Sequence, residues 1–105
     1  MSRVFKALSD PTRRGILELL REGPLSAGEL AEHFDVTKPA MSAHFAVLRE
    51  AGLIESEKRG KSVIYALQMS VLEDALYKFA RVFGWKLQGG QRDKAKPLKK
   101  EVVRS

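Results

Sequence analysis

The chain has 105 residues, no cysteine and a formal charge of +6. Without thiols, disulfides and thiolate metal sites are excluded. The length predicts one domain with a modest core, and 44% apolar with 30% charged residues is ordinary soluble globular composition. The basic balance favours an anionic partner, but residues 86–105 hold seven of the 19 basic residues and two of the 13 acidic ones, leaving +5 there and +1 in residues 1–85. A nucleic-acid site in the body must therefore come from local clustering. Residues 1–6 lack the apolar core of a signal peptide and no run approaches membrane-spanning length, so the expectation is a cytoplasmic protein with no membrane insertion.

Residues 2–8 read as a short helix with Val4, Phe5 and Leu8 on one face. Asp10-Pro11 starts a second helix, Asp as N-cap and Pro at the first helical position, with Ile16, Leu17 and Leu20 as its buried stripe and Gly23-Pro24 as its end. A third helix is predicted over 26–34, where Ser26 and Glu29 have capping-box spacing. Thr37 caps a fourth helix that tolerates Pro39 in its first turn, buries Met41, Phe45 and Leu48, and stops at Gly52 after Ala51. Residues 54–59 and 62–67 alternate as paired strands around a turn at Gly60. A last helix is predicted from Ser70, boxed by Glu73, to about Leu87, with Gly89-Gly90 breaking it. Residues 88–105 are a basic tail with little to bury, expected to be disordered or else to serve as a phosphate-gripping arm. The fold class is therefore mainly α with a two-stranded β-hairpin, a winged helix–turn–helix in residues 1–87.

That order of elements suits duplex DNA. A helix fits the major groove and reads base edges from its N-terminal residues. With Met41, Phe45 and Leu48 turned inward, Lys38, Pro39, Ser42, Ala43, Ala46 and Arg49 fall on or beside the outer face of the fourth helix. The residues near its start are small or hydrogen-bonding, and no Asp or Glu lies between Thr37 and Arg49. Lys58, Arg59 and Lys61 cluster at the hairpin tip, within reach of phosphate.

The runs Asp10-Pro11-Thr12-Arg13-Arg14, Leu30-Ala31-Glu32-His33-Phe34, Lys38-Pro39-Ala40-Met41-Ser42-Ala43-His44-Phe45, Leu48-Arg49-Glu50-Ala51-Gly52-Leu53-Ile54 and Arg59-Gly60-Lys61 closely resemble the ArsR/SmtB family over residues 3–85, and most of all its metal-independent autorepressors. The resemblance implies a winged-helix repressor that binds an inverted-repeat operator as a homodimer. By position it makes Thr37, Lys38, Pro39, Ser42, Ala43 and His44 the groove contacts, with Lys58, Arg59 and Lys61 on the wing. His44 also lies at the edge of the buried stripe, where a structural histidine is the other reading. For Arg13 and Arg14, a structural ion pair and a phosphate contact are both open. Metal sensors of the family carry Cys-x-Cys at the third helix, where this chain has Ser26 and Gly28, or Asp and His on the last helix, where it has Glu73 and Asp74 but no histidine. His33 and His44 form no ligand pair, so no metal and no cofactor are expected.

Leu72, Leu76, Phe79, Phe83 and Leu87 stripe the last helix, widened by Val71, Ala75 and Val82, with Trp85 near its end. So broad a face predicts a two-fold dimer formed with Val4, Phe5 and Leu8 of the first helix, with intramolecular core as the alternative. Two other functions compete with a repressor: a chromatin-type protein that binds DNA by charge, and a winged helix that binds protein. The uncharged readers oppose the first and the acid-free fourth helix the second. No nucleophile–base pair or phosphate loop suggests an enzyme.

Overall fold

The computed structural model describes residues 2–84. The expectations for Trp85, Leu87, Gly89-Gly90 and the basic tail lie outside the described residues. In chain order the elements are α1 (Ser2–Leu8), α2 (Pro11–Leu20), β1 (Leu25–Ser26), α3 (Ala27–Ala31), α4 (Lys38–Glu50), β2 (Ile54–Arg59), β3 (Ser62–Leu67) and α5 (Met69–Val82). Residues up to Ala75 make one compact unit; the second half of α5, from Leu76, is a separate unit.

Three helix starts in the first unit have a local chemical cause. Asp10 is extended and its Oδ2 accepts the backbone N–H groups of Thr12 at 2.8 Å and Arg13 at 3.1 Å. Ser26 and Glu29 form the reciprocal capping box, at 3.0 and 2.8 Å. The Thr37 hydroxyl accepts Ala40 N–H at 3.2 Å. Such caps satisfy amide groups that a helix leaves unpaired.

The core draws on nearly every element of this unit. It contains Val4 and Ala7 of α1, Ile16, Leu17 and Leu20 of α2, Leu30 of α3, Met41, Phe45 and Leu48 of α4, then Leu53, Ile54, Tyr65 and Ala75. Leu48 is wholly buried, which stabilises by about 2 kcal/mol relative to an exposed leucine. The Phe45 ring stacks on Tyr65 with centroids 4.4 Å apart, fixing α4 against one face of the sheet. At the end of α4, Gly52 adopts φ +76°. Its N–H donates to Arg49 and that of Leu53 to Leu48, at 2.9 and 3.0 Å, so the chain turns directly from α4 into β2.

Three expectations are corrected. The sheet has three strands in the order β1-β3-β2, because Leu25 and Ser26 pair antiparallel with Tyr65 and Ile64. Two residues show no alternation, and the extended N-cap conformation of Ser26 doubles as strand. The third helix ends at Ala31 rather than 34; His33 and Phe34 donate backwards to Leu30 and Ala31 in tighter turns. The last helix starts at Met69 and ends at Val82. Gln68 stands at its entry, accepting Val71 N–H at 3.1 Å, so Ser70 lies inside the first turn rather than capping it. Gly84, at φ +74°, supplies a left-handed residue just past its end.

Candidate nucleic-acid interface

The sequence of α4 divides the helix cleanly. Met41, Phe45 and Leu48 are buried, while Lys38, Pro39, Ser42, Ala43, Ala46 and Arg49 are all exposed, as is Thr37 before it. Lys38, Ser42, Ala46 and Arg49 follow one line along the helix, with Pro39 and Ala43 beside it. The N-terminal part of this face is the densest group of candidate contacts. Arg49, in the last turn, lies roughly 17 Å along the axis from Lys38 and reaches a different stretch of any duplex.

His44 sits apart from that face. Its side chain is 17% exposed, with Nδ1 3.2 Å from Arg13 Nη1 and 3.9 Å from Asp10 Oδ2. Arginine can only donate, so in this contact Nδ1 accepts. The same guanidinium donates through Nε to the Ala7 carbonyl at 2.8 Å and through Nη2 to that of Lys6 at 2.9 Å. Arg14 Nη1 donates to the Leu8 carbonyl at 2.7 Å. Both arginines thus serve the open carbonyl end of α1. Spacing carries no sign of this: Arg13 and His44 are 31 residues apart, and the histidine at the edge of the buried stripe was the one available hint. The backbone N–H of Arg13 chiefly, opposed by burial and aided by the Thr12 N–H and the Arg13 guanidinium, holds the Asp10 carboxyl below its ordinary range.

The wing sorts its cations by face. Register pairs Ile54 with Leu67, Ser56 with Tyr65 and Lys58 with Val63, so these side chains share the sheet face against which Phe45 stacks. Lys58 is therefore on the α4 side. Glu55, Glu57 and Arg59 alternate onto the other face, where Arg59 Nη2 meets Glu57 Oε1 at 3.3 Å, both side chains about two-thirds exposed. Gly60, at φ +60°, and Lys61 form the two-residue tip.

Of the residues expected at a dimer surface, Val4 is 6% exposed and belongs to the core of the single chain. Phe5, Leu8 and Leu72 are half-buried. On the second half of α5, Phe79 is half-buried, and Leu76, Val82 and Phe83 are 41%, 72% and 58% exposed. Among the described residues no group of three His, Cys, Asp or Glu side chains converges on a metal-sized site, and no helix is long and apolar enough to cross a membrane.

A capped reading helix backed by a core, followed directly by a basic two-stranded wing, defines a winged helix–turn–helix DNA-binding protein. Residues 8–57 match the model of a helix-turn-helix domain family. The chain is 46% identical over 76 residues to the transcriptional repressor SdpR of Bacillus subtilis, covering 72% of this chain and 84% of that protein. It is 39% identical over 82 residues to the regulator CmtR of Mycobacterium tuberculosis, covering 78% of this chain and 70% of that one. The solved structure of an ArsR-like transcriptional regulator from Rhodococcus sp. RHA1 superposes with a TM-score of 0.69 at 34% identity, covering 78% and 77% of the two chains. The chain belongs to the ArsR family of winged-helix transcriptional regulators. Its relatives are regulators rather than enzymes, and its partner is double-stranded DNA.

Proposed function

We propose that the protein is a cytoplasmic homodimeric repressor that reads an inverted-repeat operator with α4 and steadies itself with the wing. The observation that carries this reading is the acid-free, exposed line Lys38, Ser42, Ala46, Arg49 on a helix whose opposite side is buried. Thr37, Lys38, Pro39, Ser42 and Ala43 enter the major groove: the small residues permit close approach, the hydroxyls exchange hydrogen bonds with base edges, and Ala43 packs on a thymine methyl. Lys58 and Lys61 bind phosphate on the flank, and Arg59 does so from the opposite face of the wing. His44 acts from behind the reading face, holding α4 to Arg13.

The second copy brings a second α4. Exposed Leu76, Val82 and Phe83 favour pairing through α5, and a two-fold axis then sets the two reading helices about one DNA turn, roughly 34 Å, apart. No resident metal takes part in the proposal. Titrating the protein against its own upstream DNA, with random duplex as competitor and a salt series, tests the reading. Equal affinity for both duplexes would rule out a sequence-specific repressor.

A further inference from the structure

Between the end of α1, one side of α2 and the passage from β3 into α5 lies an open hollow of about 360 Å³. Its floor is apolar: Leu8, Leu17, Leu67, Met69 and Leu72. Its rim is formed by Arg14 and Glu18 of α2 and by Arg21, the residue that caps its C-terminal end. All three rim side chains are exposed. Arg14 spends one donor on the Leu8 carbonyl, while the side chains of Glu18 and Arg21 make no hydrogen bond or ion pair among the described residues. Two guanidiniums against one carboxylate give the rim a charge of +1 over an apolar floor.

We infer that this hollow is an effector site for a small amphiphilic carboxylate, a molecule with an unbranched or aryl apolar body and one anionic head. The volume lies in the range of small-molecule pockets, which are mostly apolar with a few placed polar groups. The body displaces water from the leucines and Met69, and the head takes the planar donor fork of Arg21, with the free donors of Arg14 beside it. Glu18 opposes the head by like charge and limits affinity. The hollow borders the point where the wing strand passes into α5, so a molecule wedged there bears on the wing and on the start of α5 together. That regulatory part rests on the repressor reading; the binding part does not.

Decanoate, at sub-millimolar concentration and titrated by calorimetry into the full chain, is the probe. The expected result is one saturable site per chain. Arg21→Glu weakens it at least tenfold, Glu18→Gln tightens it severalfold, and Met69→Trp, which fills the hollow from an exposed position, abolishes it. Decyltrimethylammonium, of equal length and opposite charge, does not bind. Several molecules bound per chain, equal binding of the cation, or indifference to Arg21→Glu and Met69→Trp would overturn the site. So would absence of binding combined with loss of the dimer in Met69→Trp, which would give the hollow to a second copy. Decanoate is also expected to lower affinity for the upstream DNA. Binding with unchanged DNA affinity would sink the effector role, whereas failure of the ligand-free protein to bind that DNA would sink the repressor reading and leave the calorimetry standing.

Discussion

Arg13 Nη1 donates to His44 Nδ1 across 3.2 Å, while the rest of its guanidinium holds the Lys6 and Ala7 carbonyls. One side chain of α2 thereby ties the end of α1 to the middle of the reading helix. His44→Leu leaves a part-buried donor unmatched and is expected to cost about 1–3 kcal/mol in urea unfolding. His44→Asn keeps an acceptor close to the place of Nδ1 and is expected to lose less than half as much. Equal losses would show that the hydrogen bond contributes nothing.

Ser42 is exposed, as are Lys38, Pro39, Ala43 and Ala46 beside it on α4. Ser42→Asp is expected to leave stability within about 0.5 kcal/mol, because no packing is lost. It places a carboxylate against phosphates and is expected to lower operator affinity more than tenfold in fluorescence anisotropy. Undiminished binding would remove α4 from the interface.

The two faces of the wing give an asymmetric expectation. Lys58→Gln should flatten the dependence of log affinity on log salt by about one unit. Arg59, paired with Glu57 at 3.3 Å on the far face, should contribute less, so Arg59→Gln changes the slope by less than Lys58→Gln. The reverse ranking would place the far face, rather than the α4 side, against the phosphates.

Acid should weaken the fold through Asp10. Its carboxyl is held below the ordinary 3.8 because the Arg13 and Thr12 amides bond the charged form. A group whose folded value is depressed stabilises fully above its unfolded value and loses that contribution as pH falls through the folded one. Thermal melts of the wild type should therefore fall below about pH 4, and those of Asp10→Asn, which can cap without titrating, should fall less over the same window. Parallel curves would exclude Asp10 as a contributor.

Phe83 is 58% exposed on the second unit. Phe83→Asp is expected to yield monomers in sedimentation velocity while barely moving the melting temperature. A dimer that survives this change would have to be built without that end of α5.

Much of this architecture can be read from residue order. Asp10-Pro11, Ser26 with Glu29, and Thr37 announce three helix starts, because each cap is a local chemical act between near neighbours. Gly60 sets the hairpin turn for the same reason, with Arg59 and Ser62 paired across it. What escapes notice depends on distant partners. The pairing of Leu25 with Tyr65 and the link from Arg13 to His44 join residues far apart in the chain, and no periodicity encodes them. The split between Lys58 and Arg59 was available from strand alternation counted back from Ile54. The shortened third helix was not, since Phe34 closes under Gly15, where even a methyl group would stand 2.9 Å from its ring.

The short strand β1 also bears on solubility. Left alone, the hairpin would offer two unpaired strand edges, and the β3 edge carries Val63, Ile64 and Tyr65 in sequence. Leu25 and Ser26 occupy part of that edge, while the other edge, β2, bears Glu55, Glu57, Lys58 and Arg59, charges that repel a further strand. The wing is thus defended on one side by backbone and on the other by charge. A substitution that loosened Leu25, such as Leu25→Pro, would expose a β-prone apolar strand and turn a monodisperse preparation into one that aggregates on warming.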